Sequence, residues 1–145
     1  MKEEVIMIME LFRGPRNRAE LEDIFKNETA GGRIASTNPR KPSEDECETY
    51  SRTIKGTSGE CMPPKQDKHI ETEFTEYTSD PQVAMRFGRR LKGITFNEIA
   101  YCRGAYVQIE VNHDYVVELN DPLEYGYLIR SNTPLVSVQI KPVTS

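Results

Sequence analysis

The sequence has few of the residues from which disulfide frameworks and metal sites are built. Its two histidines, His69 and His113, stand far apart, and its three cysteines form no C-x-x-C pair. A disulfide framework uses an even set of cysteines, and a zinc site uses closely spaced ligands. We therefore expect neither a disulfide framework nor a bound metal.

Long apolar runs and an excess of basic charge are also absent. The apolar run at residues 5–9 is too short to span a bilayer and precedes no signal-peptide cleavage site, so we expect no membrane partner. A strand so near the start suits a domain excised from a longer chain as well as a natural start. The net charge of −4 disfavours a protein held on nucleic acid by bulk charge, although a local basic patch is compatible with a nucleic-acid substrate. Serine-hydrolase and phosphate-loop motifs do not occur.

The length of the chain predicts a single domain, residues 1–145, and its first part alternates between a strand and helices. The β-branched and apolar residues 5–12 predict a buried strand that ends at Arg13. Asn17 and Glu20 stand at the spacing of a capping box, which predicts that a short amphipathic helix follows.

The middle of the chain combines a helix, a loop and a strand. Ser43 and Glu46 form a second capping-box pattern, and residues 41–69 as a whole are predicted to be partly loop. Residues 70–77 predict an extended strand. Asp80 then predicts the N-cap of a helix whose first residue is a proline.

The last third is rich in predicted strands. Alternating apolar and polar residues at 105–112 predict a half-buried strand, and turn signals separate three more strands at 115–119, 124–130 and 135–142. The predicted order of the elements is one strand, helices, a strand, a helix and then four strands. This order indicates an α+β domain.

Three segments together resemble a known family. They are Leu11-Phe12-Arg13-Gly14 at the end of the first strand, Tyr77-Thr78-Ser79 ahead of the third helix, and Pro122-Leu123-Glu124-Tyr125 at the start of a late strand. Their order and spacing resemble the arginine–serine–glutamate class of ADP-ribosyltransferases, to which cholera toxin and many secreted bacterial toxins belong. The resemblance implies two packed, strongly bent, antiparallel-rich β-sheets that form a central NAD⁺ cleft, with short helices on the flank.

The resemblance makes NAD⁺ the substrate and gives two residues the main roles. Glu124 would stabilise the oxocarbenium-like ribose that forms as nicotinamide leaves, much as a carboxylate does in glycosidases. Arg13 would offer its planar guanidinium to the pyrophosphate or to the groups that hold it. The structural alternatives are a strand-edge glutamate that faces water and a surface arginine at a strand end. The functional interpretation requires both side chains to converge on one cleft.

Three further positions are implied at the nicotinamide. The backbone of Gly14 would approach the carboxamide because glycine has no side chain, and a turn glycine ahead of Pro15 is a compatible alternative. Phe87 and Phe74 would border the nicotinamide pocket, although aromatic residues at this spacing are more often part of a core.

The sequence leaves open which residue supports Glu124. Family members usually show Ser-Thr-Ser where this chain has Tyr77-Thr78-Ser79, so tyrosine replaces the first serine, which often steadies the glutamate. Thr78, Ser79 and the Tyr77 hydroxyl are the candidates for this role, and Tyr77 and Thr78 are also candidates for contact with NAD⁺. The alternative is that Thr78 and Ser79 only precede and cap the next helix.

The acceptor of ADP-ribose is also open. Transferases that modify arginine usually carry Glu or Gln two residues before the catalytic glutamate, where this chain has Pro122. A basic cluster is a candidate landing strip for RNA or DNA, with a solvated helix face as the alternative. This cluster consists of Arg86, Arg89, Arg90, Lys92 and Arg103.

These features lead to the hypothesis of a mono-ADP-ribosyltransferase toxin or effector domain that modifies a protein or a nucleic acid. The resemblance further implies secretion or delivery as part of a larger protein, action in the cytoplasm of a target cell during bacterial competition, and a cognate immunity protein. An NAD⁺ glycohydrolase toxin, with water as the acceptor, is one alternative. A non-catalytic, β-rich binding module is the other.

Overall fold

The computed structural model describes residues 6–31, 39–52, 73–120 and 123–144. Residues 53–69 of the segment that is predicted to be partly loop, and Pro122, lie outside these ranges. Within them the chain forms three α-helices and eight β-strands, and no described helix is long and apolar enough to cross a membrane.

The elements follow the predicted order, with one addition. Helices α1, α2 and α3 span Arg18–Asn27, Glu44–Tyr50 and Pro81–Gly88. Strands β1 to β8 span Ile8–Arg13, Phe74–Thr78, Ile94–Phe96, Ile99–Tyr101, Ala105–Asn112, Val116–Glu118, Gly126–Arg130 and Ser137–Pro142. The hairpin of β3 and β4 is the element that the sequence patterns did not predict.

The predicted caps begin all three helices. The Asn17 side chain accepts a hydrogen bond from the backbone of α1 and Asp80 accepts one, of 2.9 Å, from the Gln82 amide at the start of α3. Ser43 and Glu46 form a complete capping box at α2. Each cap supplies an acceptor for a backbone amide that the helix itself leaves without a partner.

Six strands form one antiparallel sheet in the order β6-β7-β2-β1-β5-β8, while β3 and β4 pair as a separate small sheet. β1 pairs with β5 along its whole length, from Ile8 opposite Asn112 to Arg13 opposite Val107. In contrast, β1 and β2 are joined at a single residue pair, Phe12 opposite Thr78, within the described chain. The α+β class and the antiparallel sheet are as expected, but the six strands form one sheet that narrows between β1 and β2.

The larger part of the core lies on one face of this sheet. Leu11 of β1, Tyr77 of β2 and Ile109 of β5 pack there with Leu21 and Ile24 of α1, and all five are buried. Because successive side chains of a strand point to opposite faces, Tyr77 fixes the orientation of its neighbours in β2.

A smaller cluster lies on the other side of β2. Tyr50 of α2 packs there against Phe74 and Leu128. Glu76 and Thr78 alternate with Tyr77 and therefore share the side of the sheet to which Phe74 points. This face of β2 carries the polar residues of the candidate site.

Candidate functional site

A cavity of about 450 Å³ lies beside the narrow junction of β1 and β2. Residues from both strands, all three helices and the turn before β7 line it. The volume falls within the range of small-molecule sites, roughly 300–1,000 Å³. Arg13 and Glu124, to which the sequence hypothesis gives the main roles, both line this cavity.

Arg13 ends β1 with only 16% of its side chain exposed. Its Nε donates a 2.5 Å hydrogen bond to Glu20, and its Nη1 donates a 2.7 Å bond to the backbone carbonyl of Glu76. Burial by itself would lower the pKa of Arg13, but the charge and hydrogen bond of Glu20 raise it above its ordinary value. The Nη2 group has no partner among the described residues and is available to a ligand.

Glu20 is the counterion of Arg13. Its carboxylate also accepts bonds of 3.2 Å and 3.1 Å from the amide and the Nε of Arg16. Burial by itself would raise the pKa of Glu20, but the charge of Arg13 lowers it below its ordinary value. The prediction that Glu20 turns back to the Asn17 amide in a capping box is wrong, because two guanidinium groups hold a carboxylate more strongly than a neutral amide does.

Gly14 brings the end of β1 against the backbone of α3. A Cβ atom at this position would lie 2.6 Å from the carbonyl oxygen of Ala84 and 2.6 Å from the carbonyl carbon of Phe87, so a larger residue does not fit. The Gly14 carbonyl accepts a 2.6 Å hydrogen bond from Arg90. The missing side chain thus serves the packing of α3, and contact with a nicotinamide carboxamide stays a prediction.

Arg90 is the member of the predicted basic cluster that lines the cavity. It follows α3 in a 3₁₀ turn, where its Nε donates a 3.0 Å bond to the Phe87 carbonyl and its guanidinium lies 5.3 Å from the centre of the Phe87 ring. Burial, followed by the positive charge of Arg13, lowers the pKa of Arg90. Its Nη1 has no partner within the described ranges. All five members of the cluster are exposed, Arg90 included, but Arg86, Arg89, Lys92 and Arg103 do not line the cavity.

Glu124 lies in the turn before β7 and not in the strand predicted at 124–130. The Thr78 hydroxyl donates a 2.6 Å hydrogen bond to the Glu124 carbonyl, and the Ser79 amide donates one of 3.2 Å to the Tyr125 carbonyl. Tyr125 has a φ of 49°, a left-handed conformation that costs a residue with a side chain roughly 1–2 kcal/mol. Two bonds from the end of β2 therefore hold a strained turn that presents the half-buried Glu124 to the cavity.

The three candidates for the support of Glu124 differ in their contacts. The Thr78 hydroxyl donates to the Glu124 turn and also accepts a 3.1 Å bond from the amide of Asp80, the residue that caps α3. The side chain of Ser79 is exposed and lies outside the lining of the cavity. The Tyr77 hydroxyl, the third alternative, donates a 2.9 Å bond to the backbone carbonyl of Ala30 near α1. Strand alternation turns this ring to the opposite face.

Two residues that the sequence motifs did not single out complete the cavity. The Tyr50 hydroxyl is hydrogen-bonded to the carboxylate of Glu76, and burial followed by the charge of Glu76 raises the pKa of Tyr50. Glu76 shares its strand face with Thr78, and this alternation is the sequence signal that points to it. The two β2 side chains beside the Glu124 turn are therefore at positions 76 and 78. These positions lie one residue earlier than positions 77 and 79, which begin and end the Tyr77-Thr78-Ser79 motif.

The aromatic residues expected at a nicotinamide pocket both line the cavity. Phe74 is 3% exposed and belongs to the smaller core cluster, so packing in the core also explains its position. Phe87 is 36% exposed, which leaves part of its ring open to the cavity or to solvent. Of the two, Phe87 has the exposure that stacking against a ligand requires.

No protein-family model, curated protein or solved structure matches this chain. Among the described residues, no group of histidine, cysteine and carboxylate side chains is arranged to hold a metal ion, and Cys47 and Cys102 are free. The charged side chains that line the cavity are three guanidinium groups and three carboxylates: Arg13, Arg16 and Arg90 with Glu20, Glu76 and Glu124.

Proposed function

We propose that this domain is a mono-ADP-ribosyltransferase that cleaves NAD⁺ between nicotinamide and ribose and transfers ADP-ribose to a macromolecule. The observation that carries this function is the placement of Arg13 and Glu124 in one cavity of about 450 Å³. The toxin role, the delivery as part of a larger protein and the cognate immunity protein follow from the motif resemblance and belong to the same hypothesis.

The basic side of the cavity suits a pyrophosphate. Arg13 and Arg90 lie close enough for the charge of the first to lower the pKa of the second. Each retains an amino group without a partner in the described chain. An anion between them relieves their repulsion and accepts these donors, and the planar guanidinium matches the geometry of phosphate oxygens.

Glu124 suits the ribose. When the bond between the nicotinamide nitrogen and ribose C1′ breaks, positive charge develops on the sugar, and a carboxylate fixed beforehand at that point stabilises it. The bonds from Thr78 and Ser79 support this role, because they hold the backbone of the turn from which the Glu124 side chain extends. The left-handed Tyr125 is consistent with a functional constraint on the same turn.

The test is nicotinamide release from NAD⁺ by the purified protein, measured with and without an extract of candidate target cells. We expect Glu124→Gln to lower the release rate by about 10²–10³-fold, the loss typical of a fixed electrostatic contact. Glu118→Gln is the matched control, since Glu118 is an exposed carboxylate on the neighbouring strand β6. Wild-type rates in the Glu124 variant would refute the assignment.

An NAD⁺ glycohydrolase is the second candidate, favoured by the proline at position 122 where arginine-modifying relatives of this class carry Glu or Gln. Water would then be the acceptor, and nicotinamide release would not depend on the extract. Labelled NAD⁺ and an extract treated beforehand with protease or nuclease identify the acceptor class. If no nicotinamide is released under any condition, the non-catalytic binding module is favoured.

A further inference from the structure

β8 forms one edge of the six-stranded sheet, and among the described strands it pairs with β5 alone. The two strands stay in register along the whole of β8, from Ser137 opposite Glu110 to Pro142 opposite Ala105. An edge strand leaves part of its backbone amides and carbonyls without a strand partner, and another strand can pair with them. None of the residues that line the cavity belongs to β8, so this edge is separate from the proposed catalytic site.

The backbone bonds to β5 show which groups of β8 face the free side. The Val143 amide donates a 3.0 Å bond to the Gly104 carbonyl, immediately beyond the paired residues of the two strands. In an antiparallel pair, residues that bond to the neighbouring strand alternate with residues whose amides and carbonyls point away from it. Since residue 143 bonds to β5, residues 141, 139 and 137 do so as well, and Val138 and Ile140 direct their amides and carbonyls to the free side.

The free side of β8 is limited at both ends. Pro142 also faces outward by this alternation, but it has no N–H to donate. At the other end, the Val136 amide already donates a 2.7 Å bond to the Glu110 carbonyl. A strand that pairs here is therefore offered two amides, those of Val138 and Ile140.

The β8 strand of a second copy, running antiparallel, uses all these amides in one register. With a two-fold axis at Gln139, Val138 of each copy lies opposite Ile140 of the other, and the two residues exchange both of their backbone bonds. An axis at Val138 would set Ile140 opposite Val136, whose amide is engaged. An axis at Ile140 would set Val138 opposite Pro142, which has no amide hydrogen. The engaged amide and the proline thus select the register at Gln139.

The side chains are complementary in the same register. On one face, Lys141 of each copy lies opposite Ser137 of the other, and the Ser137 hydroxyl donates a 2.6 Å bond to the carboxylate of Glu110. Lys141 has no ion pair or side-chain hydrogen bond within the described ranges, so its amine is free to pair with the Glu110 carboxylate of the second copy, one strand beyond Ser137. On the opposite face, the half-buried and β-branched Val138 and Ile140 pair across the edge and extend the core.

We propose that β8 is a dimerisation edge, at which a second copy of this chain pairs antiparallel through Val138 and Ile140 with the two-fold axis at Gln139. Both copies use the same strand, so the contact closes as a dimer and does not propagate. Two amides of each copy and the pairs of Lys141 with Glu110 join the two sheets into one. Because two short strands bury little surface, the dimer belongs to the weak complexes with small interfaces. This inference does not depend on the cleavage of NAD⁺.

Sedimentation equilibrium of the full chain measures the dimer directly. We expect a monomer–dimer equilibrium between about 1 and 300 µM, the range of weak complexes with small interfaces. Lys141→Glu should raise the dissociation constant at least about fivefold, because it places carboxylates beside each other across the edge. Glu110→Lys should also raise it, and the double variant should return it to within about twofold of the wild type, since the exchanged charges attract again. Lys92→Glu is the matched control, the same change at an exposed lysine outside β8, and should leave the constant unchanged.

A cysteine at the axis tests the register. Gln139 faces its own counterpart in a non-hydrogen-bonded pair, where Cα atoms are about 4.5 Å apart, so Gln139→Cys should form a disulfide between the copies under mild oxidation. Gln108→Cys is the matched control, because Gln108 neighbours Gln139 on β5 and would lie three strand spacings, about 14 Å, from its counterpart. The wild type, oxidised in parallel, gives the background from the exposed Cys102, and peptide mapping identifies the linked residues.

Two results would overturn the proposal. A chain that stays monomeric up to about 300 µM leaves the edge to solvent or to a strand of another protein, and Lys141 and Pro142 then protect it from pairing. A dimer that is insensitive to Lys141→Glu, or that gives no more cross-link with Gln139→Cys than with Gln108→Cys, forms through another surface.

Discussion

Glu20→Gln probes the ion pair that holds the guanidinium of Arg13 together with the bond to the Glu76 carbonyl. The 2.5 Å bond joins side chains that are 16% and 11% exposed, and the same carboxylate also binds Arg16. Glutamine has nearly the same shape and keeps one oxygen acceptor, so the substitution removes the charge and retains most of the packing.

The expected loss lies between two limits. Breaking a fully buried ion pair from one side costs about 3–5 kcal/mol, whereas an exposed pair contributes about 0–1 kcal/mol. Because Arg13 is mostly buried and the Gln oxygen retains a hydrogen bond, we expect a loss of about 2 kcal/mol in the free energy of unfolding. For a chain of this size, this lowers Tm by roughly 6–8 °C.

Urea unfolding at two pH values separates the effect of the lost Glu20 charge on stability from the effect of the altered side-chain shape. The pKa of Glu20 is lowered in the folded protein from its ordinary value of 4.5, so its stabilising effect is complete above that value and disappears as the pH falls through the folded-state pKa. The difference between wild type and Glu20→Gln should therefore be larger near about pH 7 than near about pH 3. A difference that is the same at both values would refute the ion-pair explanation.

Two further substitutions test how the site is built. Gly14→Ala should lower the free energy of unfolding by about 1–3 kcal/mol, because its Cβ meets the backbone of α3, and a stable variant in urea unfolding would contradict that packing. Thr78→Val should destabilise the protein by about 1–2 kcal/mol and reduce the kcat for NAD⁺ cleavage at least about tenfold, with a smaller change in KM, because Glu124 loses its hydroxyl donor. Thr78→Ser keeps the hydroxyl and should keep the rate, and equal kcat losses in both variants would argue against the role of that bond.

Local signals predicted the helices well because their causes are local. Asn17, Ser43 and Asp80 each cap a helix through an amide two or three residues later, so sequence spacing is sufficient to find them. The failure to predict the hairpin of β3 and β4 also has a local reason. Its two turn residues, Asn97 and Glu98, have φ of 51° and 67°, and such turns are recognised in a sequence mainly when glycine occupies one of these places.

The site was predicted less completely because its contacts join distant segments. Glu20 matches a capping box by spacing, yet the guanidinium of Arg13 decides where its carboxylate lies. The motif alignment left Tyr77 as one of three candidates for the support of Glu124, whereas burial assigns its ring to the core. The position of Glu76 over Gly126 depends on the register of β2 and β7, which no spacing within either segment reveals.

The narrow junction between β1 and β2 links the fold to the site. A strand that loses its neighbour leaves backbone carbonyls without partners, which is costly unless another donor replaces the ladder. Here the ladder is limited to Phe12 and Thr78, and the guanidinium of Arg13 supplies a donor to the carbonyl of Glu76 two residues further along β2. The same short stretch of β2 holds the Glu124 turn through the Thr78 hydroxyl. Arg13 and Glu124 are therefore both positioned by β2, so a change in this strand is expected to disturb both ends of the cavity at once.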